Sequence, residues 1–410
     1  MSAPESPSST RFAANPVAEA TLELRAPTAA ALLTPPFVLM LCVQFCFSYS
    51  FSTFFLLPKY LTRELHASSA AIGAVSSLNL FAGVLATPLI GAWIDRGARR
   101  PTIVAGAVVH ALAAGAYALV HDVSPAMYAL RIAHGLSYAL VFNALVTLAA
   151  DLAPPKKLGQ AIGLCGVAGI ATNAFAPAVG EVIADHRGWP TVFVLAGAAS
   201  LVATVLALCI REPAAQRAVE APVTSGAFAL ISAPSRAGAF VCSGAAGAAF
   251  GSLFTFTTPF ALALGAGKVS GFFIGYTATA LGVRLLLGQL ADTIGRERVA
   301  FGALTLYGLV ASMTAALRPS LMPLLGAGLG LAHGLLYPAL NAIAAEGVPR
   351  ARRGTVMSYF SACFYGGFAL WVYALGWIAK STGYACVFLL SGALVWSSIL
   401  ALPKRERARS

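Results

Sequence analysis

At 410 residues, 58% hydrophobic and only 10% charged, with a mean hydropathy of +0.79, the chain is too apolar for a soluble protein, since soluble domains carry about 25% charged residues. Its net charge of +12 does not point to nucleic acid, because Lys and Arg sit mostly in alternate short loops, the pattern that orients a membrane protein. The seven cysteines (Cys42, Cys46, Cys165, Cys209, Cys242, Cys363 and Cys386) all lie in apolar runs without metal-ligand spacing and read as small packing residues.

Residues 1–35 are rich in Ser, Pro, Ala and Glu, which predicts a disordered cytoplasmic tail. Six apolar runs fill residues 36–210, at about 36–57, 71–94, 102–120, 125–150, 158–184 and 189–210. Each has the length of a spanning helix. A wet segment with Lys59, Arg63, Glu64 and His66 is expected between the first two. Residues 211–236 turn to Pro, Ala, Arg, Glu and Ser and read as a cytoplasmic linker. Six more runs, at about 237–264, 269–291, 299–317, 321–345, 355–379 and 384–402, fill residues 237–403, and 404–410 form a basic cytoplasmic tail. The expectation is an all-α membrane protein of twelve spans in two six-helix bundles.

An internal repeat supports the two halves. Gly91-Ala-Trp-Ile-Asp95-Arg96-Gly97-Ala-Arg99-Arg100 follows the second run, and Gly288-Gln-Leu-Ala-Asp292-Thr-Ile-Gly295-Arg296 follows the eighth, about 197 residues later. Ala133-His134-Gly135-Leu-Ser-Tyr138 in the fourth run returns as Ala332-His333-Gly334-Leu-Leu-Tyr337 in the tenth, with Asn143 and Asn341 following. Repeats in the same order make parallel halves, a build found among transporters. With the first loop motif inside, about nineteen of the 27 Lys and Arg fall on that side. The positive-inside rule then puts both termini in the cytoplasm.

Two arginines fall within spans. Arg131 lies a turn or two into the fourth run, where a charge costs about 2.5–3.5 kcal/mol on the insertion scale. It is therefore expected to face protein or a water-filled cavity. His134 and Tyr138 stand at i+3 and i+7 from it, predicting a polar stripe toward that cavity. Arg284, two turns before Asp292, suits an anionic group or a structural acid. His333, Tyr337 and Asn341 are the second-half counterparts. His titrates near neutrality, so His134 and His333 are candidate proton carriers, and Glu181 near the far end of the fifth run is the acidic candidate. The paired glycines Gly326/Gly330, Gly366/Gly367 and Gly163/Gly166 suggest close helix packing.

These motifs resemble the major facilitator superfamily over residues 36–403. Gly91-x-x-x-Asp95-Arg96-Gly97-x-Arg99-Arg100 resembles its signature loop, with the echo at Asp292 and Arg296. Arg131-x-x-His134-Gly135 is similar to its fourth-span motif. Ala176-Pro177-Ala178-Val179-Gly180-Glu181 resembles the fifth-span antiporter motif, with Ala176 and Glu181 where glycines are usual. The resemblance implies a central cavity opening alternately to each side, secondary transport, and a gating role for Gly91, Asp95, Arg96, Arg99, Arg100, Asp292 and Arg296. It leads us to expect a proton-coupled carrier of a small organic molecule in a bacterial inner membrane, with efflux favoured. An uptake carrier for a monocarboxylate-like anion is the alternative, and a non-transporting membrane sensor a remote one. The expected partners are a small-molecule substrate and membrane lipid, with no nucleic acid, and the chain is expected to act as a monomer. No carboxylate pair, metal cluster or nucleophile–base set appears, so no catalytic residue, metal ligand or cofactor is assigned; the proton gradient is the expected driving force.

Overall fold

Helices follow one another with short joints through the computed structural model, which describes residues 32–96, 99–154, 157–211, 233–287 and 290–402. Residues 1–31 of the expected N-terminal tail, the C-terminal tail and most of the linker lie outside the described residues, while Leu32 is buried and Pro35 already opens the first helix. Span one is α1 (Pro35–Thr53), a tight turn, and α2 (Leu57–Arg63). Next come α3 (Ser69–Arg96), α4 (Arg99–Ala116), α5 (Pro125–Leu152), α6 (Leu158–Arg187) and α7 (Trp189–Leu208). The second half holds α8 (Pro234–Ala263), α9 (Ser270–Leu286), the short α10 (Leu290–Ile294), α11 (Arg296–Thr314), α12 (Met322–Ala345), α13 (Arg350–Thr382) and α14 (Tyr384–Ser398). Among the described residues, ten helices are long and apolar enough to cross a bilayer. Two more, α9 with 17 residues and α11 with a charged first turn, complete the second half.

Local chemistry sets many of the boundaries. Proline opens α1, α5, α7, α8 and α12 within the first two positions, where its missing N–H costs no helical bond. A single glycine joins α6 to α7 and α13 to α14. Gly188 and Gly383 stand at φ +80° and +85°, a region that side chains with a Cβ avoid. This joint is a further match between the halves.

The first span departs from the sequence expectation. The wet segment expected after residue 57 is instead helical to Arg63, and Lys59 is 1% exposed. Pro58 restarts the helix after the turn at Phe54–Leu56, and the Lys59 charge is satisfied inside the protein, as described below.

The halves meet where α3 packs on α13 and α6 packs on α9. A Cβ at Gly73 would stand 2.7 Å from the Val372 carbonyl and 2.9 Å from Gly376 Cα, so two glycines let α3 and α13 touch at the end opposite the loop motif. That far end also carries the shared apolar core, in which Phe54, Leu56, Tyr60 and Ile72 belong to one cluster with Val269 and Phe272. Toward the motif end the first half keeps a core of its own, from Phe37 and Met40 to Ile94 and Ile210.

Candidate functional site

A cavity of about 300 Å³ lies between the halves and draws its walls from both. Spans one, two, four and five contribute Gln44, Phe51, Asn79, Arg131, Tyr138, Gly166 and Asn173; spans seven, eight, ten and eleven contribute Phe250, Tyr276, Arg284, His333, Tyr337 and Tyr365. Aromatic pairs form much of the surface. Phe51 stacks on Tyr138 at 3.9 Å between ring centres, and Phe250 on Phe254 at 4.1 Å. A polar seam joins spans one and five, where Ser52 Oγ donates to Asn173 Oδ1 at 2.8 Å and lies 3.0 Å from Thr172 Oγ1.

Arg131 reaches this wall because Gly135, one turn later, lets α5 lie directly on α3: a Cβ there would collide with the Asn79 carbonyl. The close approach brings Arg131 Nε to the Val75 carbonyl at 2.9 Å. Its Nη1 has no hydrogen-bond partner among the described residues. Arg284 extends from α9 toward Gly166 of the other half, where a Cβ would lie 3.3 Å from its Nη1. Gly326 and Gly330 press α12 against the Phe272 and Tyr276 backbone, and Gly367 does the same for α13 at Gly244. A Cβ on Gly163 or Gly366 would meet nothing, so those two do not serve packing.

The expected stripe divides. Tyr138 lines the cavity, but His134 is fully buried behind it, with its ring 4.2 Å from both Phe54 and His110. A shift of four residues along a helix of 3.6 residues per turn turns the His face toward spans one and three. Its counterpart His333 does line the cavity, as does Tyr337, so the repeat in sequence is not a repeat in environment. Asn341 is half-buried and outside the cavity lining. His110, which the sequence reading passed over, bonds through Nδ1 with Ser137 Oγ at 3.0 Å. Its signal was a single polar side chain in the middle of the third apolar run.

Glu181 stands at the closed far end rather than in the cavity. Its Oε1 meets Lys59 Nζ at 2.5 Å and accepts the Val269 N–H at 2.8 Å; Oε2 accepts the Ser270 N–H at 3.0 Å. The carboxylate thus caps α9 of the other half, where the helix dipole favours a negative charge. Lys59 also donates to Gly267 O at 3.4 Å, and Arg63 Nη2 to Ala266 O at 3.0 Å. Asp185 Oδ1 lies 4.0 Å from the same ammonium. Two cations and one buried acid of the first half therefore hold the segment from Ala266 to Ser270.

At the motif end, Arg99 Nε pairs with Asp151 Oδ2 at 3.1 Å, tying the signature loop to the end of span four. Gly91, Asp95 and Arg96 lie within α3 and Asp292 within α10; their side chains lie outside the described residues. Arg296 opens α11.

A polytopic helical protein with a two-sided internal cavity, sealed at one end by contacts between its halves, has the build of a solute carrier. The comparisons with known proteins agree. The sequence model described as Major Facilitator Superfamily matches residues 40–292 and 269–410. The chain is 25% identical over 340 residues to "Multi-drug resistance efflux pump PmrA" of Streptococcus pneumoniae, covering 80% of this chain and 84% of that one. It is 26% identical over 358 residues to "Multidrug resistance protein MdtG" of Escherichia fergusonii, covering 82% and 87%. The solved nucleoside transporter NupG superposes with a TM-score of 0.74 at 16% identity, over 91% of this chain and 100% of that one. An inward-facing, unoccupied bacterial homolog of the human lysosomal transporter Spinster gives 0.68 at 17%, over 90% and 94%. At those identities the structures show the fold alone. The chain belongs to the Major Facilitator Superfamily: it is a multi-pass membrane transporter and not an enzyme.

Proposed function

We propose that this chain is a proton-coupled secondary transporter that exports a small organic solute across a bacterial inner membrane by alternating access, acting as a monomer. In this reading the motif end and both termini face the cytoplasm, in keeping with the basic loops on that side. The observation that carries it is the closure of the far end. The far end is shut by Glu181, Lys59 and Arg63 gripping Ala266 to Ser270, while the first half's core at the motif end stands apart. Contacts of this kind, made by a few side chains on backbone groups, can break and re-form without unfolding either bundle. The names of PmrA and MdtG support efflux.

Glu181 is our candidate for the proton. Placing a proton on it removes the charge facing Lys59 and leaves a weaker acceptor for the Val269 and Ser270 N–H groups. Lys59, Asp185 and Arg63 are the charged groups around this contact, and a neutral Glu181 frees the Lys59 ammonium toward Asp185. The far end would then part, exposing the cavity outward. Falling external pH thus favours opening of that end. Arg99, Asp151 and the signature loop would close the opposite end in that state.

Reconstitution tests this directly. An imposed pH gradient should drive solute movement in proteoliposomes, a protonophore should abolish it, and counterflow should persist without the gradient. A protein that exchanges no solute across a broad panel, cationic dyes included, would sink the transport reading. Full accumulation without a gradient would remove the proton from it.

A further inference from the structure

The chemistry of the cavity defines the class of its cargo, given the transport reading above. Its described lining holds two guanidinium groups, one from each half, and no Asp or Glu. Arg131 is 5% exposed, spends its Nε on a neutral carbonyl and has an unpartnered Nη1 among the described residues. Arg284 has no carboxylate within ion-pair distance among them. Arginine does not shed its proton in a protein, so both charges persist. An uncompensated cation as buried as Arg131 is costly, and the two charges together set up a field that attracts an anion and repels a cation.

Shape adds to charge. A guanidinium matches a carboxylate with two parallel hydrogen bonds, and the bare Cα of Gly166 keeps space open beside Arg284 Nη1. The stacked pairs Phe51–Tyr138 and Phe250–Phe254 offer flat apolar walls. A volume of about 300 Å³ is at the small end for ligand pockets, which suits one or two fused rings. We infer that the transported solute is an organic monoanion with an aromatic body, its carboxylate held by Arg284 beside Gly166 and its ring among the aromatic pairs.

One scaffold with three charges tests this: naphthoate, naphthamide and naphthylmethylammonium, added to the purified full-length protein. Naphthoate should raise the melting temperature, and the neutral and cationic forms should not. Arg284→Gln should weaken naphthoate binding by about tenfold or more, as for loss of a charged hydrogen bond, with the ligand-free melting temperature unchanged, and Arg284→Lys should recover part of it. Should Arg284→Gln misfold, Gly166→Leu keeps both charges but fills the space beside the guanidinium and should give the same loss. Stabilisation by the cation equal to or above that by naphthoate overturns the assignment. So does failure of all three to bind, or unchanged naphthoate binding in the folded variant. Transport of a cationic dye without binding of naphthoate would leave the transport reading standing and the anion assignment lost. Binding of naphthoate without exchange in proteoliposomes would do the reverse.

Discussion

Glu181, on the fifth span of the first half, accepts the backbone N–H of Ser270, the first residue of the eighth span in the second half. One carboxylate therefore closes the far end of the cavity and caps a helix in the opposite bundle.

Glu181→Gln should retain one acceptor for the α9 backbone but leave Lys59 buried without its acid. Gradient-driven transport is expected to fall at least about tenfold, the scale of a lost charged hydrogen bond, while counterflow survives. Proteoliposome assays with and without a pH gradient separate the two, and undiminished gradient-driven transport would put the proton elsewhere.

Lys59→Met should be more damaging than the double change Lys59→Met with Glu181→Leu. Removing one member of a buried pair strands the other charge, at about 3–5 kcal/mol, whereas an apolar replacement of both is often tolerated. Thermal unfolding of the three proteins in detergent checks the order; a double variant less stable than the single would contradict a paired role.

Gly376→Val should keep α3 and α13 apart, since Gly73 Cα and the Ser69 carbonyl stand within about 3 Å of the position a Cβ would take. Labelling of Ala266→Cys by a membrane-impermeant maleimide, in a background lacking the native cysteines, is then expected to speed up. Unchanged labelling would mean that this contact does not hold the far end shut.

Arg99→Gln and Asp151→Asn break a partly exposed pair, so each should cost no more than about 1 kcal/mol in stability. Both are expected to slow transport several-fold at normal expression, as is Asp95→Asn if the signature loop gates the motif end. Rates in vesicles, normalised to protein amount, decide this; unchanged rates would reduce the loop to a topology signal.

His134→Leu should alter stability by less than about 1.5 kcal/mol, because neither ring nitrogen has a partner among the described residues. Its pH profile of transport should match that of the parent. His333→Leu, in contrast, changes the cavity wall and should alter solute affinity. A shifted pH profile in His134→Leu would return that residue to the proton path.

The architecture was legible because it rests on periodic signals: runs of spanning length, a repeated loop motif and a bias of basic residues to one side. The cavity was legible in part. Arg131, Tyr138, Arg284, His333 and Tyr337 stood out as polar or aromatic residues in apolar runs and do line it. His134 followed the same rule and was misplaced, because a helical wheel gives relative directions and not which neighbour each face meets. Lys59 was hidden for the opposite reason. It sits among residues that look wet, and only the return of span five brings Glu181 to it across 122 positions. Pairings set by tertiary approach leave no local trace in the chain.

The division of the apolar cores has a thermodynamic consequence. Parting the far end would expose side chains of a cluster that both halves build, whereas the cluster at the motif end is built by the first half alone. That exposure contributes a positive heat-capacity change to opening the far end, against which the surface buried as the motif end closes must be set.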